Sequence, residues 1–248
     1  MDRSRMYDSL LLTILLIGVS TFPVNLLVND IFWYYVIEAL LMLAVFIFIL
    51  FYESRHPEIV PFKRRFSFTY FLWLLPVILI PFSNFLYALI FGESLYPNFA
   101  LYNIPQVAFI ALNVVVEEYI FRRHLLGNLN HPKKIIRILI SAGIFGLCHI
   151  TRFLSTFNPL DLIVVVYAFG LGMVLGLIYC YTNSFISCIV LHFLFNLVND
   201  FLFTSLFGVS EIMWYYLINA IFALIIGLYL LFVYLFVLEK KPSNSRLN

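Results

Sequence analysis

Three polar constellations stand inside runs that are otherwise hydrocarbon: VVVEEYIFRRH with Glu117, Glu118 and Arg122; IFGLCHI with His149; and VLHFLFNLVND with His192 and Asn196. An ionisable group at membrane depth costs a few kcal/mol on insertion scales, about 2.5–3.5 for Asp, Lys or Arg at a helix centre, so it normally faces a protein interior or a wet cavity. These residue types suit amide hydrolysis. A carboxylate can take a proton from water, while imidazole and amide donors can stabilise the oxyanion that develops. The same Glu117, His149 and His192 can also hold a divalent metal such as zinc with a bound water, although the sequence has no HExxH signature and the three groups lie on different segments.

Spacing divides the labour within each run. Residues four apart share a helical face, so Glu118 and Arg122 can pair, with the glutamate in the favourable N-terminal position. Glu117 is then rotated by roughly 100° and left to face a cavity. His192 and Asn196 share a face by the same spacing, and Phe145 lies one turn before His149. Each feature has a plainer reading: a buried ion-pair cluster for the two glutamates with Arg122 and Arg123, satisfied interior histidines for His149 and His192, and a helix-to-helix hydrogen bond for Asn196. Glu38 is an isolated acid within its apolar run, and Asn199 and Asp200 follow the third run by one turn. His56, His124 and His131 read as solvated loop residues.

The elements that position these groups must be membrane helices. Of the 248 residues 63% are apolar and 11% charged, with a net charge of +2, whereas a soluble domain carries roughly 25% charged residues. That balance excludes an aqueous fold and gives no reason to expect a nucleic-acid partner. Crossing a hydrocarbon core takes about 20 apolar residues. The runs that qualify are approximately 9–28, 31–52, 67–90, 105–126, 135–153, 161–181, 185–206 and 213–238, which predicts an all-α polytopic bundle of about eight transmembrane helices in a single membrane domain spanning 1–248. The first run lacks a small-residue cleavage site and reads as a retained helix rather than a signal peptide. Cys148, Cys180 and Cys188 all lie in apolar runs, as small buried hydrophobes rather than a disulfide framework.

Basic residues collect on cytoplasmic loops. In an eight-helix arrangement Arg3, Arg5, Arg55, Lys63, Arg64, Arg65, Arg122, Arg123, Lys133, Lys134, Arg137, Lys240, Lys241 and Arg246 share one face, and only Arg152 falls opposite. Both termini are therefore expected in the cytoplasm, and the site groups in a cavity open to that side.

Taken in order, EEYIFR, FGLCH and HFLFN resemble the motifs of the CPBP family, also called Abi, of CAAX prenyl proteases and bacteriocin-processing or bacteriocin-immunity membrane proteins. The similarity covers roughly 105–200 and includes the small-residue helix in which Gly172 and Gly176 form a GxxxG packing pair. It implies an intramembrane endopeptidase, of glutamic or metallo type, in which Glu117 activates water with His149, His192 and Asn196 steady the oxyanion, and Glu118 and Arg122 support them. Its substrate would be a membrane-associated peptide or protein in the lipid bilayer; oligomeric state is not implied. Arg123 departs from the small residue frequent after the motif arginine, and is expected to snorkel to the surface. The Ile-, Phe- and Asn-rich composition points to a low-GC bacterium and a cell-membrane protein processing a peptide pheromone, a bacteriocin leader or a regulator. Two other functions use the same residues: a non-catalytic immunity or scaffold protein that binds a peptide or receptor, and a proton-coupled transporter relaying through Glu38, Glu117 and Asp200.

Overall fold

A computed structural model describes residues 3–55, 72, 75–93, 95–129, 131–182, 184–209 and 213–238. These residues form helices and no strand. In lipid the backbone polar groups must be satisfied internally, by a helix or a closed barrel, and runs of about 20 consecutive apolar residues suit the helix. The helices are α1 (Arg3–Ser20), α2 (Ile31–Arg55), α3 (Ser83–Phe91), α4 (Asn103–Glu118), α5 (Lys134–Cys148), α6 (Ile150–Thr156), α7 (Asp161–Thr182), α8 (Phe185–Asn196) and α9 (Met213–Phe232). Seven continuous helical stretches are long and apolar enough to cross a bilayer, and Leu75–Phe91 forms a shorter apolar one. The chain is thus an all-α polytopic membrane bundle. The first part of the expected helix at 67–90 lies outside the described residues.

Two expected spans are interrupted. The run at 9–28 ends its α-helix at Ser20, because Pro23 has no N–H to continue the ladder, and a short 3₁₀ turn, Val24–Leu26, follows. The run at 135–153 breaks at His149, where the chain changes from α5 to α6 with a helical φ of −77° but ψ of only −6°.

α7 is the axial element. It packs along α5 on one side and α9 on another, while α2 packs along α4. Small residues permit the first contact. A Cβ placed on Gly172 would stand 3.0 Å from Phe145 Cδ1 and 3.2 Å from Ala142 Cα, and one on Gly176 would stand 3.1 Å from Ile138 Cγ2. The GxxxG face therefore seats α5, and with it Phe145 and His149, directly on α7.

The helices carrying the first and third motifs change winding at their motifs. α4 continues from Glu118 into a π-helical stretch, Tyr119–Leu126, and α8 continues from Asn196 into another, Leu197–Leu206. π segments are uncommon and concentrate at functional sites. Here both begin immediately after the polar residues.

Candidate active site

Glu118 sits at the centre of the polar cluster. It is fully buried, as is Arg122. Its Oε2 lies 3.1 Å from Arg122 Nε, so the pairing expected from the i,i+4 spacing is present. The guanidinium stacks over the Phe145 ring at 5.0 Å, which adds a cation–π attraction in a place without water. The other carboxylate oxygen, Oε1, is 2.9 Å from Nδ1 of His192 on α8. With an acceptor there, Nδ1–H donates and Nε2 is turned toward Glu117.

Glu117 occupies the next position round the helix. Its Oε2 is 3.5 Å from His192 Nε2, the outer limit of a hydrogen bond and a gap that a water molecule can bridge. Its Oε1 accepts from Asn113 Nδ2 at 3.1 Å. Asn113, one turn earlier on α4, was not singled out in the sequence; its signal is the same four-residue spacing that revealed Glu118 and Arg122.

His149, at the break between α5 and α6, donates from Nδ1 to the Phe145 carbonyl at 2.9 Å, fixing the tautomer and leaving Nε2 as the reactive nitrogen. Phe145 is a hub for the rings, with centroids 5.0 Å from His149, 5.8 Å from His192 and 5.0 Å from Phe121.

Glu117, His149, His192 and Asn196 all line one cavity of about 220 Å³, together with Asn113, Arg152, Tyr167 and Asp200. The four groups expected to act together are therefore on one chamber, and none is turned to lipid. Asp200 lines the chamber, whereas the neighbouring Asn199 is buried and bonded by Asn84 and by its backbone carbonyl to Tyr215. Glu38 is also apart, on a different cavity of about 720 Å³ beside Tyr34. Among the described residues no three His, Cys, Asp or Glu side chains are grouped closely enough to hold a metal ion. Glu117, His149 and His192 thus share a chamber without forming a ready ligand set.

The chamber lining reaches Arg152, Val164 and Asp200. Arg123 is partly exposed, and its Nε pairs with Glu53 of α2 at 2.7 Å. One expectation is corrected. His124 is buried rather than solvated, with Nε2 3.2 Å from the same Glu53. His56 lies outside the described residues.

Fold and site together define a helical membrane protein with a carboxylate and imidazole centre recessed among α4, α5 and α8. Residues 99–198, which hold all of that centre, match the Rce1-like family, whose members are type II CAAX prenyl endopeptidases. The match agrees with the CPBP resemblance and implies protease activity. No curated protein and no solved structure matches the chain.

Proposed function

We propose that the protein is an intramembrane endopeptidase in which Glu117 activates the attacking water. The observation that carries this reading is the chamber itself: a carboxylate held by Asn113 faces His192 Nε2 across a gap that can be bridged by water, with His149 and Asn196 on the same walls. Glu117 takes the water proton, and His149 assists through the nitrogen that Phe145 leaves open. As the carbonyl carbon becomes tetrahedral, the Asn196 amide donates to the oxyanion, joined by His192 when Nε2 as well as Nδ1 carries a proton, and Glu117 then passes the water proton to the departing amine nitrogen as the C–N bond breaks. Glu118 holds His192 by Nδ1, and Arg122 neutralises Glu118 in a site without solvent.

The substrate is a membrane-associated peptide or protein, such as a pheromone precursor, a bacteriocin leader or a membrane regulator. On the charge rule the basic end is cytoplasmic. The test is hydrolysis of a tagged membrane peptide by purified wild type and by Glu117→Ala, each with and without chelation. Product from wild type alone, unaffected by chelation, is expected. Equal product from both proteins removes Glu117 as the base; loss of wild-type product on chelation that returns with zinc replaces directly activated water by metal-bound water.

A further inference from the structure

Glu38 stands within α2 and takes no part in the mechanism above. It is 4% exposed, and the hydroxyl of Tyr34, one turn earlier, bonds its carboxylate. Among the described residues no basic group is paired with it, whereas Glu53 on the same helix meets both Arg123 and His124. A tyrosine hydroxyl supplies a hydrogen bond but no counter-charge. A carboxylate at membrane depth in that condition normally faces a wet cavity.

The cavity is present. A vestibule of about 720 Å³ at the α1–α2 turn has Glu38 on its wall, together with Phe22, Asn25, Tyr34, Thr151 and Arg152. Arg152 and Glu38 are the charged groups among the described residues that line it, and Arg152 Nε already pairs with Asp161 Oδ1 at 2.8 Å. The charge left to be met there is the negative one of Glu38. Phe22 and Tyr34 add two aromatic rings to the same walls, and ring faces also attract a cation. Carboxylate and rings together suit an ammonium group. The vestibule shares Ser20, Thr151 and Arg152 with a neck of about 120 Å³, and Glu117 and His149 line that neck. A peptide lying in the vestibule is thus one cavity away from the catalytic carboxylate.

We propose that Glu38 is a cation-binding subsite that receives the side-chain ammonium of a lysine in the substrate peptide, at a position separated from the scissile bond by the neck. Its meaning as a specificity site rests on the protease reading. A neutral side chain in the vestibule covers Glu38 without neutralising it, and an acidic one places like charges together; a lysine supplies the missing counter-charge. The apolar stem of that lysine can lie along Phe22 and Tyr34 while its ammonium reaches the carboxylate.

The experiment measures binding, so that it does not depend on turnover. Dansyl-capped apolar hexapeptide amides carry either lysine or norleucine at the second, third, fourth or fifth position, so that each pair differs by one charge. They are titrated onto Glu117→Gln protein in phosphatidylcholine nanodiscs, with binding to empty nanodiscs subtracted. At one or more positions the lysine peptide is expected to bind about tenfold more tightly than its norleucine partner, a step equivalent to about 1.4 kcal/mol. Glu38→Gln is expected to bring that ratio close to one, and Glu38→Asp, which keeps the charge on a shorter stem, to retain part of it. Equal binding of lysine and norleucine peptides at every position, including no binding of either, overturns the proposal, as does a preference that survives Glu38→Gln. If Glu38→Gln does not fold, Glu38→Asp decides, and an undiminished ratio there overturns the proposal. The protease reading stands or falls separately, on whether hydrolysis in the cleavage assay requires Glu117.

Discussion

Glu117 and Glu118 are neighbours in sequence with opposite surroundings. Glu117 lines the chamber, held by one amide and facing a histidine; Glu118 is sealed between Arg122 and the far side of the same histidine. Their substitutions should separate accordingly. Glu117→Gln preserves shape and the approach of Asn113, so it should abolish hydrolysis by the 10²–10⁴-fold typical of a general base while leaving the thermal unfolding midpoint in detergent nearly unchanged. Glu118→Ala strands a buried guanidinium, a change that generally costs about 3–5 kcal/mol. It should lower that midpoint markedly, and Glu118→Gln should recover part of the loss by still accepting from His192. A Glu117→Gln protein that melts as early as Glu118→Ala would mean the two carboxylates share a structural task. This distinction was legible from the one-residue rotation on a helix. Asn113 was not, because an amide in an apolar run has too many ordinary explanations until its partner is placed in space.

The helices show why three short motifs far apart in sequence converge. α7 acts as a keel, and its glycine face sets the depth of α5 and so the position of Phe145 and His149. The two glycines differ in what lies above them. At Gly172 an added methyl meets backbone of Ala142 as well as the Phe145 ring, whereas at Gly176 its near neighbours are side-chain carbons of Ile138 alone. Gly172→Ala is therefore expected to cost about 1–3 kcal/mol by overpacking and to reduce hydrolysis as well, by displacing Phe145. Gly176→Ala should have a smaller effect on stability and little on turnover; unfolding midpoints and cleavage rates measured on both proteins check the order. The helical count and the pairing of small residues could be read from hydrophobic run length and GxxxG spacing. The breaks could not be placed as well. The helix end before Pro23 and the change of axis at His149 depend on local backbone competition, and the π winding after Glu118 and Asn196 depends on neighbours supplied by other helices.

At the scale of the whole molecule, the basic residues and the cavities can be compared by place. Lys133, Lys134, Arg137 and the Arg123–Glu53 pair lie toward one end of the bundle, while a vestibule of about 720 Å³ at the α1–α2 turn, a neck of about 120 Å³ and the 220 Å³ chamber each have Arg152 on their walls. Toward the basic end Arg122 is buried on Phe145, and Arg123 pairs with Glu53 of α2. The arrangement makes a topological prediction. In a background with Cys148 and Cys180 replaced by serine, Asn25→Cys on the vestibule rim and Lys133→Cys at the basic end should react with a membrane-impermeant maleimide from opposite sides of oriented vesicles. A bulky maleimide on Asn25→Cys should also slow peptide cleavage severalfold, since it stands where the substrate must pass, and the same group on Lys133→Cys should leave the rate unaltered. Labelling of both from one side would place the vestibule and the basic end on the same membrane face. Slowing by the Lys133→Cys adduct alone would instead put the entrance at the basic end.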